Sequence, residues 1–245
     1  MKCLLLCAGY ATRLSPLTDN LPKALLEIEE GKPILDYIIE KVNTINDVDE
    51  IIVISNNRFY KQFEEWADKK KNIIPIIVVN DNTNSNEDRL GAIGDLNFTI
   101  EKLQIDDEML IIAGDSLFEF KLLDFVHFYQ DRNQPVIACQ EINDYEALKR
   151  FAVVEMNEKN KITNFIEKPA EPPSNIGSYA VYLYPREICQ EIKEYLLLGN
   201  NPDQPGRLVE YLYKRMPVYA FVFKENFYDI GTHESLELVR NKYRK

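Results

Sequence analysis

Short apolar runs alternate along this chain with longer segments whose apolar residues return every third or fourth position. Residues 3–7, 50–55, 74–80 and 109–113 are near-continuous apolar runs, with the length and composition of strands buried on both faces. Between them lie amphipathic patterns. A helix beginning at Pro33 carries Ile34, Leu35, Ile38, Ile39, Val42 and Ile45 on one stripe. Residues 58–70 repeat the pattern with Phe59, Phe63 and Trp66 and end in a solvated lysine run at 69–71. A polar loop at 81–88 then leads to a helix over 89–103. Strands separated by helices of this length predict βαβ units and a mainly parallel sheet with helices on its faces. In such sheets ligands gather outside the carboxyl ends of the strands. Gly9, Asp81 and Asp115 each stand just past one of those ends.

The rhythm changes after residue 120. A helix over 122–132 and a strand over 136–140 precede two strand-like runs, 152–156 and 161–166, which flank a turn at 157–160. A strand over 177–184, helices over 185–197 and 208–214, extended segments at 218–223 and 227–229, and a closing helix over 232–243 follow. No repeat or low-complexity linker interrupts the pattern. The expectation is one α/β domain over 1–245, a parallel-rich sheet core with a β-rich lobe in the second half.

The chain has 245 residues, enough to bury a sizeable core without staples. Its formal net charge of −11 argues against a nucleic-acid or anionic-membrane partner, so any anionic ligand must meet a local concentration of cations or a metal. Cys3, Cys7, Cys139 and Cys189 show no CxxC spacing and read as reduced structural residues, which suits a cytoplasmic place. The opening MKCLLLCAG looks superficially like a lipoprotein signal, but its apolar stretch is below the ~7–15 residues of a signal core. No run approaches the ~20 apolar residues of a membrane span.

The first strand ends in small residues, Ala8-Gly9-Tyr10-Ala11-Thr12, and delivers Arg13, with Lys23 ten residues on. Small residues let backbone N–H groups approach phosphate oxygens, and two fixed cations neutralise the charge. Leu6-Cys7-Ala8-Gly9-Tyr10-Ala11-Thr12-Arg13-Leu14-Ser15-Pro16-Leu17-Thr18, with Pro22-Lys23 after it, resembles the L-x-x-G-x-G-T-R-L-x-P-L-T…K signature of the sugar-phosphate nucleotidylyltransferases. Later family motifs recur in order. Phe165-x-Glu167-Lys168-Pro169 resembles F-x-E-K-P, Leu90-Gly91-Ala92-Ile93-Gly94 resembles L-G-x-x-G, and Asp115 and Asp229 resemble the two metal-holding aspartates. In length and motif the chain is most similar to the short glucose-1-phosphate thymidylyltransferase-like members.

The resemblance implies a Rossmann-like nucleotide-diphospho-sugar transferase fold, with residues 1–120 mainly nucleotide-binding and 121–245 mainly acceptor-binding. It implies transfer of a nucleotidyl group from an NTP, dTTP or UTP, to a sugar 1-phosphate, releasing pyrophosphate. Ala8, Gly9, Ala11, Thr12 and Arg13 would take the triphosphate, Lys23 would neutralise it, and Asp81 and Gly91 would border the base. Asp115 and Asp229 would hold Mg²⁺, which takes one or two carboxylates plus phosphate oxygens. Lys168 would contact the sugar phosphate, Glu167 the sugar hydroxyls, and Tyr179 would line the acceptor side. Arg13, Lys23 and Lys168 are thus the candidate catalytic cations.

The chain also departs from the pattern. Ala11 replaces a glycine, Ala24 a proline, and Ala152 and Tyr179-Ala180 stand where relatives have glycine or Thr-Gly. A small phosphate such as phosphocholine as acceptor, with CTP or GTP as donor, therefore stays open. So does a non-catalytic nucleotide-sugar sensor, although a sensor needs no complete set of charges. Association into a homo-oligomer is open as well. The loop at 81–88 lacks the glycine and glutamate of a calcium-binding EF-hand, and His127 and His233 are too few and too far apart for a histidine-based centre.

Overall fold

The computed structural model describes residues 1–243. From β1 (Lys2–Leu6) the chain passes through two short 3-10 turns, Thr12–Leu14 and Lys23–Leu25, to β2 (Glu27–Glu29), β3 (Lys32–Pro33) and α1 (Ile34–Val42). Then come β4 (Glu50–Ser55), α2 (Tyr60–Asp68), β5 (Ile76–Asn80), α3 (Ala92–Leu103), β6 (Met109–Ala113), β7 (Ser116–Phe118) and α4 (Leu122–Gln130). The rest is β8 (Val136–Glu141), α5 (Tyr145–Leu148), β9 (Ala152–Met156), β10 (Ile162–Glu167) and β11 (Ile176–Tyr184). It closes with α6 (Ile188–Leu197), α7 (Pro205–Leu212), β12 (Tyr219–Phe223), β13 (Phe227–Asp229) and α8 (His233–Tyr243). Two compact units result. The first takes Met1–Leu90, Ile112–Leu122 and residues 225–243, and the second takes Gly91–Ile111 and Leu123–Lys224.

In the first unit β1, β4 and β5 are parallel, with Lys2 opposite Glu50 and Ile51 opposite Ile76, and the end of β6 lies along the free side of β1. Ile51, Ile52, Val53 and Ile54 are fully buried, as their unbroken apolar run predicts. Each such side chain contributes about 1.5–3 kcal/mol of burial. α1 turns Ile34, Leu35, Ile38, Ile39 and Val42 inward. It starts one residue later than expected because Pro33 is still paired with Glu27 in the β2–β3 hairpin. Asp36 on α1 accepts from Trp66 Nε1 at 2.9 Å and from the Lys70 ammonium, which ties down α2 and the chain just after it. β7 was not foreseen: it pairs antiparallel with β13, Phe118 stacking on Phe120 at 4.5 Å and on Phe227 at 5.9 Å. Three residues are too few to show a period.

The second unit carries an antiparallel run β10-β9-β11-β8, to which β12 adds in parallel on β8. The expected turn between β9 and β10 is present, with Asn157 Oδ1 accepting the N–H groups of Lys159 and Lys161. α7 begins at Pro205, not at 208, because proline suits a first helical position whose N–H has no partner in the helix. α3 begins at Ala92, not at 89. Gly91 sits at φ +78, and the Ala92 and Ile93 N–H groups donate to the carbonyls of Asp203 and Pro202. All four cysteines are free. No helix among the described residues is long and apolar enough to cross a membrane.

Candidate active site

In the first unit, the Cys7 N–H donates to Ile54 O at 2.9 Å and the chain then leaves the sheet. Among the described residues the N–H groups of residues 8–13 meet no protein acceptor, and the next to do so is that of Leu14, on Ala11 O at 3.0 Å. The loop is nevertheless held in shape. Asn56 Nδ2 donates to Ala8 O at 2.8 Å, and Thr18 Oγ1 donates to Ala11 O at 2.9 Å. Ala11 turns the backbone in the left-handed region, at φ 47 and ψ 38. A methyl group on Gly9 would meet nothing within 4 Å, so its face is open. A turned backbone with outward N–H groups is a concavity for anions.

Charged side chains border this loop. Lys23 Nζ lies 2.5 Å from Asp115 Oδ2. Asp115 follows Gly114, whose N–H donates to Leu6 O at 3.0 Å, so the first residue beyond β6 is fixed beside the end of β1. Asp229 is opposite Ser116 in the β7–β13 pair, and the Ile230 N–H donates to Asp115 O at 3.2 Å. The ribbon thus brings both aspartates to one end. A methyl carbon at Gly231 would lie 3.5 Å from Arg13 Nη2 and 3.8 Å from Asp229 Oδ2, so that glycine is where Arg13 and Asp229 converge. No group of three or more His, Cys, Asp or Glu suited to a metal occurs among the described residues. Two carboxylates alone fit Mg²⁺, which takes its remaining oxygens from phosphate and water, and do not fit an all-protein cage.

Asp81, expected beside a base, is 4% exposed. Its carboxylate accepts the Thr83 N–H at 2.7 Å and Thr83 Oγ1 at 2.9 Å, and the Tyr10 hydroxyl meets Thr83 Oγ1 at 3.1 Å. Asp81 therefore braces the loop through Thr83 and Tyr10. Sequence reasoning gave no role to Tyr10, although it lies inside the opening motif, and missed Asn56 and Thr83, since single polar residues far apart in the chain form no motif.

In the second unit, Glu167 ends β10 with its side chain 8% exposed. It makes no hydrogen bond among the described residues, and the Lys168 ammonium stands 4.0 Å away. Burial pushes its carboxyl above the ordinary range, against the opposing pull of Lys168 and Arg207. Lys168 has a left-handed backbone, φ 50, pinned by its N–H on Phe151 O at 3.1 Å, while its side chain is half exposed. Non-glycine residues held there are strained, and such strain clusters at functional sites. Tyr179 packs against Phe151 with the rings tilted and their centroids 5.2 Å apart, and its hydroxyl donates to Gln140 Oε1 at 3.1 Å. Gly91 packs on Pro202 and Asp203: a methyl carbon there would fall 2.7 Å from Pro202 O.

An α/β fold with a small-residue loop, two cations and two aspartates near its strand ends has the parts that a phosphate-binding site needs. The chain matches the Nucleotidyl transferase family over residues 2–245 and belongs to that family. It is 31% identical over 243 residues to the bifunctional protein GlmU of Methanocaldococcus jannaschii, a match that covers 99% of this chain and 54% of that protein. The chain thus spans about half the length of that relative. It is 28% identical over 185 residues to the UTP–glucose-1-phosphate uridylyltransferase AglF of Haloferax volcanii, covering 75% of this chain and 72% of the other. A solved structure from Bacillus anthracis, provisionally described as a glucose-1-phosphate thymidylyltransferase, superposes with a TM-score of 0.86 at 22% identity, covering 100% of this chain and 96% of that one. What it shares at that identity is the fold, a mainly parallel central sheet flanked by helices.

Proposed function

We propose that this chain transfers a nucleotidyl group from an NTP, dTTP or UTP, to a sugar 1-phosphate, giving an NDP-sugar and pyrophosphate. The observation that carries the reading is the convergence of Lys23 on Asp115 and of Arg13 and Asp229 on Gly231, beside a loop of unpaired backbone N–H groups. The relatives add support, since AglF is named for UTP and glucose 1-phosphate. Ala8, Gly9, Ala11 and Thr12 offer backbone to the triphosphate, and Arg13 and Lys23 neutralise the β and γ phosphates and the departing pyrophosphate. Asp81 acts by bracing that loop, and Gly91 by fixing the start of α3. Asp115 and Asp229 would hold Mg²⁺, which would supply Lewis-acid neutralisation of phosphate charge.

On the acceptor side Lys168 pairs with the sugar phosphate, Glu167 accepts from sugar hydroxyls, and Tyr179 lines that side. An oxygen of the sugar phosphate forms a bond to the α-phosphorus as the bond to the pyrophosphate oxygen breaks. The nucleophile is already ionised near neutral pH, so the chain needs no strong base. Its work is positioning and charge neutralisation. Free cysteines suit a cytoplasmic place for this chemistry.

Pyrophosphate release over a panel of NTPs, each with glucose 1-phosphate, other sugar 1-phosphates and phosphocholine, tests the reading. Release with dTTP or UTP and a sugar 1-phosphate is expected. Release only with phosphocholine would move the acceptor to the small phosphates. Tight nucleotide-sugar binding with no release for any pair would make the chain a sensor.

A further inference from the structure

Gly206 is the second residue of α7, in ordinary helical conformation, where alanine is intrinsically the better residue. A methyl carbon on it would fall 1.9 Å from Glu167 Oε2, 3.1 Å from Glu167 Cδ and 3.5 Å from Phe165 Cε1. The Glu167 carboxylate is therefore seated directly against the backbone of the first turn of α7, in space that any other residue at 206 would fill. The seat is otherwise loose. Glu167 has no hydrogen bond to hold it, Lys168 is 4.0 Å away, and Arg207, the next residue of α7, is turned to Glu210 at 2.9 Å. What sets the depth of the carboxylate is thus the missing side chain of Gly206.

We propose that Gly206 is a positioning residue for the acceptor: it lets Glu167 withdraw against α7, leaving room, and a carboxylate not engaged in a hydrogen bond, for the hydroxyls of the sugar. The inference rests on the assignment of Glu167 to the acceptor. A side chain at 206 pushes the carboxylate out by more than the slack of a van der Waals contact, into the volume the sugar occupies. The effect falls chiefly on acceptor binding, because Arg13 and Lys23, assigned to the triphosphate, belong to the other compact unit.

The experiment is a double-variant cycle with Gly206→Ala and Glu167→Ala, reading KM for each substrate and the thermal unfolding midpoint. In the wild-type background Gly206→Ala should raise the KM for the sugar 1-phosphate by about tenfold or more, with the KM for the NTP changed less than about twofold. The midpoint should not show the full gain that alanine usually brings to a helix, because the loosely held carboxylate has to move. In the Glu167→Ala background the collision is gone, so Gly206→Ala should leave the acceptor KM unchanged and raise the midpoint. If Gly206→Ala alone fails to fold while the double variant folds, stability has reported the same collision. An equal rise in acceptor KM in both backgrounds, or none in the wild type while Glu167→Ala weakens the acceptor, overturns the inference and leaves Glu167 in place. No effect of Glu167→Ala on the acceptor overturns the assignment of Glu167, and the inference with it.

Discussion

Ala11 carries a methyl group through a left-handed turn, at φ 47, that relatives' motifs give to glycine. That conformation costs an L-residue about 1–2 kcal/mol, against roughly 0.5–1 kcal/mol for the extra chain entropy of glycine. Ala11→Gly is thus expected to stabilise the protein by about 0.5 kcal/mol in urea unfolding, and a clear loss of stability would show the turn to be held by contacts of the methyl group. Glu167 makes a pH-dependent contribution. Burial raises its folded pKa above the unfolded value, with Lys168 and Arg207 opposing and Glu210 assisting. Between those two values the native state keeps a proton that the unfolded chain has released, so the associated stability is full at low pH and is lost as pH rises through the folded pKa. The unfolding free energy of wild type minus that of Glu167→Gln should fall with rising pH over that window. A difference that grows with pH would reverse the sign of the shift.

Among the elements, β1 and the end of β6 meet at a contact with no slack. A methyl carbon on Gly114 would fall 2.2 Å from Cys7 Sγ, and both neighbours are buried. Gly114→Ala should cost about 1–3 kcal/mol by overpacking, most of it recovered when Cys7→Ala is added. Additive losses in the double variant would mean the two residues do not press on each other. This junction also shows what sequence could reveal. The apolar runs announced β1, β4 and β6 because strands buried on both faces have nothing polar to interrupt them. Gly114-Asp115 at a strand end then followed. The β7–β13 pair, which brings Asp115 and Asp229 to one end, was not foreseen because β7 is too short for a period and nearly half of the chain separates it from β13. The motifs named the aspartates, but only the ribbon explains their company. Gly206 was missed for a related reason: the apolar pattern placed this helix over 208–214, while in the fold it starts at Pro205.

On the scale of the whole molecule, an acidic chain of net charge −11 handles polyanions only through local cations, and these divide between its two compact units. Arg13 and Lys23 belong to the first, Lys168 to the second. Hydrogen exchange should report the division. An unreactive NTP analogue with Mg²⁺ is expected to slow exchange at residues 8–13 and around 115 and 229, and adding sugar 1-phosphate to slow it further at 151 and 165–168. Protection of 151 and 165–168 by the nucleotide alone would contradict the assignment of acceptor residues.

If the charges gathered at Asp115 serve transfer of a nucleotidyl group, removing one of them must stop the chemistry and spare the fold. The most direct measurement compares pyrophosphate release by wild type and Asp115→Asn, using the NTP and sugar 1-phosphate that react best and with Mg²⁺ saturating. Turnover of Asp115→Asn is expected to fall about 10²–10³-fold, with thermal unfolding close to that of wild type. Near-normal pyrophosphate release by a folded Asp115→Asn protein would contradict it.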